Sequence, residues 1–188
     1  MTCFARDGFH CATMQDVIRE AKLSPGAIYR YFASKEEIIA AIADERHARE
    51  RAALAAARDV GGAPALGALV RELFVPLAGA DERRSRRVGV QIWAEALRNP
   101  RIHRLVRRGV DGPRRVLAAL VRDAQARGEV PSRLDADAAA RAMIALFQGF
   151  VLQQAWDPRA DVASYVAAIE LVLDGLSRAR RPPARPTR

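Results

Sequence analysis

Apolar residues recur three and four positions apart along most of this chain, the spacing that places them on one face of an α-helix. Between residues 13 and 180 strand-favouring runs are scarce, and Ala, Leu, Arg and Glu dominate. The pattern therefore predicts an all-α fold. Beyond a glycine-rich break at 61–64, helices are expected at about 65–79, 83–98, 101–127, 135–156 and 161–180.

Two of the predicted helices are long, and one of them contains residues that are unfavourable inside a helix. Ser34 and Glu37 form a full capping box at the start of a helix that runs to about residue 58. The helix predicted over 101–127 contains two glycines and Pro113. Because proline has no backbone N–H and its ring clashes with the preceding turn, we expect this helix to be kinked or interrupted.

The N-terminal part of the chain predicts two short helices from their capping residues. Thr13, followed three residues later by Asp16, is a capping-box pattern for a helix that ends near residue 21. Ser24 then caps a second helix over 25–32, with Pro25 at its first position. Two short helices joined by a tight turn form a helix-turn-helix, whose second helix enters the major groove of DNA.

Helical spacing decides which side chains of the second short helix face outward. Ile28 and Phe32 lie four positions apart and are expected to point inward, which leaves the other positions for the surface. Their small, hydroxyl or cationic side chains suit close approach to DNA and contact with phosphate. On spacing alone, an aromatic cluster in a small helical core remains an open alternative. The candidate DNA contacts are Thr13, Gly26, Ala27, Tyr29, Arg30, Tyr31 and Lys35.

The net charge of +9 fits a polyanionic partner, but its distribution changes the picture. Residues 1–50 carry seven basic and eight acidic side chains, so the candidate DNA-binding segment is nearly neutral. The excess of arginine lies in 83–87, in 98–115 and in a C-terminal tail, 181–188, that is expected to be disordered. It indicates either the coding bias of a GC-rich genome or a basic patch, and a nucleic-acid packaging protein remains an alternative.

The N-terminal motifs, taken together, resemble the DNA-binding domain of the TetR family of bacterial regulators. Residues 8–18, 23–32 and 34–36 match that family's Gly-aromatic turn, its Thr and short helix, its Ser-x-Gly-x-Ile-Tyr-x-Tyr-Phe run and its Lys-Glu pair in order and spacing. The resemblance implies a dimeric repressor that binds a palindromic operator and is released by a small-molecule effector. It places Thr13, Ser24, Pro25, Ala27, Tyr29, Tyr31 and Lys35 toward DNA, and Phe4, Phe9, Val17, Ile18, Ile28 and Phe32 in the core.

One feature departs from the family pattern. The family has a longer first helix before the Gly-aromatic turn, whereas only residues 2–6 precede Asp7 and Gly8 here. We therefore expect that helix to be reduced to its last turn, which is unstable alone, and the natural start to lie further upstream. A dimeric ligand-binding protein that has lost its DNA binding is the corresponding alternative.

The sequence predicts a DNA-binding head at 1–45, followed by a second domain at 46–180. The second domain is expected to bind a ligand and to dimerise, and it lacks the patterns of an enzyme. It has no nucleotide-binding glycine loop and no catalytic triad that sequence can identify, and His10, His47 and His103 lack metal-ligand spacing. No cofactor, metal or catalytic residue is predicted. The two cysteines are too few for a disulfide framework, and no apolar run suits a membrane span, so a cytoplasmic location is expected.

Two predicted helices near the C-terminus indicate a homodimer. The segment 135–156 is apolar nearly all round, and 161–176 has a strong apolar face with Leu171 opposite it. Such helices must be covered on more than one side, as in a four-helix bundle shared by two chains. The candidate interface residues are Phe150, Gln153, Tyr165, Ile169, Val172 and Leu173.

An effector site is expected to be an apolar cavity with a few polar groups. For each candidate, an ordinary place in the core is the alternative. The stretch 93–100 also resembles sensor domains of the AcrR-like branch of the family, but neither this nor any other motif identifies the effector, the operator or the regulated genes. The candidate walls are Phe74, Trp93, Leu97, Leu117, Leu120, Phe147 and Trp156, and the candidate polar groups are Gln91, Gln148 and Gln153.

Overall fold

The computed structural model describes residues 2–60, 62–74 and 79–178, and within these ranges it contains helices and no strand. The predicted all-α fold is confirmed. The tail predicted to be disordered at 181–188 lies outside the described residues. The helices are α1 (Thr2–Cys11), α2 (Met14–Ala21), α3 (Pro25–Tyr29), α4 (Lys35–Val60), α5 (Gly62–Phe74), α6 (Ala80–Glu95), α7 (Pro100–Ala126), α8 (Ala136–Trp156) and α9 (Val162–Arg178).

The two short helices begin at the predicted caps. The Thr13 hydroxyl accepts a hydrogen bond from the backbone N–H of Asp16 at 3.2 Å, and the Asp16 carboxylate accepts one from the backbone N–H of Thr13 at 2.9 Å. Lys22, in the left-handed region at φ 55°, ends α2. The Ser24 hydroxyl accepts from the N–H of Ala27 at 3.3 Å and so caps α3.

Two helix ends differ from prediction by a few residues. Helix α3 ends at Tyr29, three residues earlier than expected, although the next turn still closes with a bond from the Phe32 N–H to the Ile28 carbonyl. At the start of α4, the Ser34 hydroxyl accepts from the Glu37 N–H as predicted. The Glu37 carboxylate, however, accepts from the N–H of Ala33 at 2.8 Å, one residue before the expected cap.

Helix α7 runs continuously through Pro113, so the expected interruption is wrong. The proline removes one backbone donor, the one that would bond the carbonyl of Gly109. Both halves of α7 pack against neighbouring helices, with Ile102 and Leu105 buried on one side of the proline and Leu117 and Leu120 on the other. This packing outweighs the single lost hydrogen bond.

The core consists of three buried clusters. The first joins Cys3, Phe4 and Ile39 of the N-terminal part to Val88 and Ile92 of α6. The second lies between α4, α5, α7 and α8, and the third between α5, α8 and α9. Each large side chain buried there contributes about 1.5–3 kcal/mol relative to exposure. The N-terminal helices therefore share their core with the rest of the chain.

Phe4 is buried as predicted, although only a short helical segment precedes Gly8. Helix α1 is divided at Gly8, whose φ of 81° suits glycine, and its first part places Cys3 and Phe4, both fully buried, against α6. The side chain of Phe9, predicted in the same core, lies outside the described residues. A short first helix is thus stabilised by tertiary contact.

None of the helices in the described ranges is both long enough and apolar enough to cross a bilayer.

Candidate DNA interface and effector cavity

The candidate DNA-binding residues form an outward-facing surface around the start and end of α3. Ser24, Pro25, Gly26, Tyr29 and Arg30 are exposed. Tyr31 is 74% exposed, which excludes the alternative of a buried aromatic cluster, while Ile28 points inward and is buried. Ala27 is half-buried. The N-terminal turn of α3 is therefore free to approach a groove closely.

The hydroxyl groups in this surface already cap helices. The Thr13 hydroxyl donates to the Asp16 carboxylate at 2.6 Å, and these hydrogen bonds, assisted by a contact with Arg19, lower the pKa of Asp16 to about 2. Thr13 thus contributes to the surface mainly through the helix start that it caps. The Ser24 hydroxyl accepts from Ala27 and retains its proton to donate to a phosphate oxygen.

The Lys35 side chain contacts Ala12, the residue before the Thr13 cap of α2. Its ammonium group donates to the carbonyl of Ala12 at 3.4 Å, and the side chain is half-buried. This contact helps to position the Lys35 side chain. No acidic residue occurs between residues 24 and 35, so Arg30 and Lys35 make this surface cationic although the whole head is nearly neutral.

A cavity of about 130 Å³ lies among α4, α5, α6, α7 and α8. Five of the predicted residues line it: Phe74, Trp93, Leu117, Phe147 and Gln148.

The other predicted wall and polar residues lie elsewhere. Leu97 is 89% exposed because α6 ends just before it, and Trp156 is 75% exposed at the end of α8, so both predictions are wrong. Leu120 is buried in the second core cluster and does not reach the cavity. Gln91 and Gln153 do not line it either. Except for Leu97, which lies just beyond the end of α6, these residues are on helices as predicted. The sequence did not show which face of each helix meets which neighbour.

Several cavity residues were missed by sequence analysis, and half of those that the structure describes belong to α4 and α7. His47 was not predicted to belong to any site, yet it is half-buried and lines the cavity. A methyl group built on Gly109 of α7 would overlap its imidazole ring. Gly109 was interpreted as a helix breaker, although it marks where the His47 side chain approaches α7. The missed residues include Ile42, Ala43, His47, Ser85, Val88, Gly109 and Pro113.

The lining is mainly apolar. Its polar side chains are His47, Ser85 and Gln148, together with the indole N–H of Trp93. None of the described lining residues is Asp, Glu, Lys or Arg. Such a site favours a molecule that buries hydrocarbon and forms a few oriented hydrogen bonds. Elsewhere in the described ranges, no group of three or more His, Cys, Asp or Glu side chains could hold a metal ion.

The predicted dimer residues divide into buried and exposed groups. Phe150 and Ile169 are enclosed within one chain, where the Phe150 ring lies 4.3 Å from that of Tyr165, so the assignment of these two to an interface is wrong. Tyr165 is half-buried and its hydroxyl donates to the Leu146 carbonyl at 3.0 Å. Leu173 packs partly against the core.

The exposed part of this region consists of different apolar residues. Gln153 and Val172 are exposed, as an interface requires. Leu171 is 73% exposed, and with Val172 and Trp156 it leaves apolar surface on α8 and α9 uncovered within the chain. Exposed groups of large apolar side chains mark interaction surfaces.

Two features connect the cavity to the candidate DNA surface. Val88 and Ile92 line the cavity and also belong to the buried cluster that contains Cys3 and Phe4. In addition, Arg101 at the start of α7 donates to Glu37 at the start of α4 at 3.4 Å. The Glu37 carboxylate also accepts a hydrogen bond from the backbone N–H of Ala33, in the segment between α3 and α4. The bonds from Ala33 and Arg101 keep the pKa of Glu37 below its usual value.

Comparison with known proteins accounts for nearly the whole chain. A family profile described as "Bacterial regulatory proteins, tetR family" matches residues 1–42, and one described as "BetI-type transcriptional repressor, C-terminal" matches residues 62–179. The chain is 26% identical to the HTH-type transcriptional regulator UidR of Escherichia coli K12 over 173 residues, which cover 92% of this chain and 86% of that protein.

Solved structures are similar over the same extent. Salmonella enterica GusR superposes with a TM-score of 0.74 at 29% identity, covering 94% of this chain and 90% of that one. A transcriptional regulator from Saccharomonospora viridis, solved in complex with choline, superposes with a TM-score of 0.78 at 24% identity, covering 92% and 90%. At this identity, the similarity to the Saccharomonospora viridis protein shows a shared fold.

Proposed function

Because this chain belongs to the TetR family of bacterial regulatory proteins, we propose that it binds a palindromic operator as a homodimer and dissociates when a small molecule fills its cavity. Proteins of this family are DNA-binding transcriptional regulators, typically ligand-responsive repressors, and this chain is such a regulator and not an enzyme. We place the DNA-binding head at 1–45, the ligand-binding and dimerisation domain at 46–180, and the site of action in the cytoplasm.

The exposed surface around α3 carries the proposal. The start of α3 has small side chains at Gly26 and Ala27, so its backbone N–H groups can approach a phosphate. Tyr29 and Tyr31 offer a hydroxyl at the end of a rigid ring, which suits contact with phosphate, sugar or a thymine methyl. Lys35 and the start of α2 at Thr13 lie beside one another and would contact the flanking backbone.

The homodimer is proposed to form through α8 and α9. Trp156, Leu171 and Val172 expose apolar surface there, and Gln153 lies beside them on α8. Burying such surface against its two-fold copy removes it from water. A two-fold axis would place two heads on one face of the duplex, one helical turn or a multiple of it apart.

Release from DNA is proposed to depend on two side chains that line the cavity and also pack against the head. A bound molecule presses on Val88 and Ile92, whose other contacts are with the core that holds α1. A population with a different head separation is then favoured, and affinity for the operator falls.

Selection of duplexes from a random DNA library by the purified protein tests this function. We expect one enriched palindrome with two half-sites, bound far more tightly than shuffled DNA at the same salt concentration. Binding of all sequences with a steep salt dependence would instead indicate a packaging protein. No enrichment at any salt concentration would indicate that DNA binding is lost, and would contradict the proposal.

A further inference from the structure

The proposed function leaves the chemical class of the effector open, and the cavity restricts it. Its volume of about 130 Å³ is close to the ~150 Å³ of an engineered protein cavity that binds benzene. With no Asp, Glu, Lys or Arg among the described lining residues, an ion bound there would lose its hydration without a counter-charge. The site therefore favours a compact, uncharged molecule. Among charged molecules, a cation is the strongest alternative, because the aromatic faces of Phe74, Trp93 and Phe147 line the cavity and can attract positive charge.

Among the polar side chains of the lining, His47 differs from the others in its place in the fold. Ser85 belongs to α6 and Gln148 to α8, whereas His47 belongs to α4, which begins at Lys35 next to the DNA surface. A contact with His47 therefore acts directly on the helix that joins the head to the cavity. Imidazole can both donate and accept a hydrogen bond, so it suits an alcohol or phenol oxygen.

The position of the His47 ring depends on Gly109. The ring end, with Nε2, Cε1 and Cδ2, lies so close to the α7 backbone at Gly109 that even an alanine methyl there would overlap it. Any larger side chain would push the ring away from α7. At Gly112, on the same helix, a methyl group meets nothing within 4 Å. The imidazole therefore fits between α4 and α7 because residue 109 has no side chain.

We propose that the effector is a compact, uncharged and mostly apolar molecule whose polar group is bound by His47, the imidazole for which Gly109 makes room where α4 crosses α7. This inference rests on the proposed function in one respect, that the cavity is the effector site.

A series of probes of one shape and different charge tests the ligand class. Ethylbenzene, benzyl alcohol, benzylammonium and benzoate share a ring and a short substituent. Binding to the full chain is measured by calorimetry and by the shift in thermal unfolding. We expect benzyl alcohol to bind about tenfold more tightly than ethylbenzene, as one net hydrogen bond allows, and both ions to bind more weakly than either. Tighter binding of either ion, or no binding of benzyl alcohol, overturns the proposal.

Variants test the residue assignment. His47→Leu should abolish the preference for benzyl alcohol over ethylbenzene while retaining ethylbenzene binding, and His47→Gln should restore part of the preference. Gly109→Ala should reduce the preference by displacing the ring. Gly112→Ala is the matched control, since it adds the same methyl group to the same helix, and it should behave as the unaltered protein.

The outcomes separate this inference from the proposed function. If His47→Leu retains the preference and Ser85→Ala or Gln148→Leu loses it, another polar group binds the effector and the assignment to His47 is wrong. DNA selection on the same protein preparation reports separately on the proposed function. A protein that binds its palindrome yet prefers benzylammonium would keep the function and overturn only the effector class.

Discussion

At the scale of single residues, one short segment carries most of the proposed DNA contacts. The side chains of Tyr29 and Tyr31 are exposed although each carries a large apolar ring. Tyrosine is enriched at interfaces, because its ring packs on a partner while its hydroxyl group forms a hydrogen bond. Ile28, which precedes them, is buried and fixes the rotation of the helix. The candidate DNA contacts and the buried core of the head are thus different residues, so they can be changed separately.

Tyr29→Ala is expected to weaken operator binding without destabilising the fold. Loss of one good contact costs about 1–3 kcal/mol, or roughly tenfold to a hundredfold in affinity. Tyr29→Phe, which removes only the hydroxyl group, should lose less. Fluorescence anisotropy on the selected operator gives the affinity, and circular dichroism checks the helix content. Leu97→Ala, an exposed apolar position that is not one of the candidate DNA contacts, is the control. An unchanged affinity in Tyr29→Ala would remove Tyr29 from the interface.

The capping box of α2 gives a prediction about pH. The pKa of Asp16 is lowered from 3.8 to about 2 by its hydrogen bonds to Thr13 and its contact with Arg19. A lowered pKa means that the folded protein holds the anion, so this contribution to stability is present above 3.8 and is lost as the pH falls toward 2.

Asp16→Asn should therefore lower the unfolding temperature at neutral pH and approach the unaltered protein as the pH falls toward 2. Thermal unfolding followed by circular dichroism across that pH range measures the difference. Asp44→Asn, which changes an exposed carboxylate on α4, serves as the control. A difference between Asp16→Asn and the unaltered protein that does not depend on pH would contradict this account.

At the scale of elements, α8 and α9 each present two kinds of apolar face. One face fills the third core cluster, in which Phe74, Phe150 and Tyr165 stack with ring centroids 4.3–5.8 Å apart. The other face remains uncovered at Trp156, Leu171 and Val172. Periodicity alone cannot tell the two apart, because both contain large apolar side chains at helical spacing.

Leu171→Arg is expected to convert the homodimer to a monomer that remains folded. The arginine would place a charge in the proposed apolar interface, whereas in the monomer it would be solvated. Light scattering measures the mass and circular dichroism the helix content. Leu97→Arg is the matched control at an exposed leucine outside this face. Phe150→Arg, in contrast, should unfold the chain, since Phe150 is fully buried. A dimer that persists in Leu171→Arg places the interface elsewhere.

At the scale of the whole molecule, two residues of α6 connect the cavity with the head. Val88 and Ile92 line the cavity and also pack with Cys3 and Phe4. Interiors are close-packed, so a molecule that enters the cavity cannot displace these side chains without affecting their other neighbours. The short first helix, which would be unstable alone, therefore packs against residues that also line the cavity.

Val88→Ala is expected to weaken the coupling between effector and operator. Val70 is the matched control: it also lines the cavity, but it packs with Phe74 in the third cluster. Both substitutions should lower stability by about 1–3 kcal/mol. Operator affinity is measured with and without saturating benzyl alcohol, and the change on adding it should be smaller in Val88→Ala than in Val70→Ala. Equal coupling in the two variants would show that the signal does not pass through α6.

Local chemistry in the sequence determined much of this protein. Helix boundaries followed from caps such as Thr13 and Ser24, because a capping hydrogen bond spans only a few residues and needs no distant partner. The order and spacing of the α2–α3 motif likewise indicated the family before any contact was known. These features are encoded within a few turns of chain.

Only the tertiary structure decided which faces meet. Phe150 is enclosed, Leu171 is exposed and His47 packs against Gly109, although the helix of each was predicted correctly. Leu97 is exposed just beyond the end of α6. Proline at 113 remains inside a continuous helix because packing on both sides outweighs one missing hydrogen bond. Burial depends on contacts between residues far apart in the chain, and helical periodicity states only that a face is apolar, not which neighbour covers it.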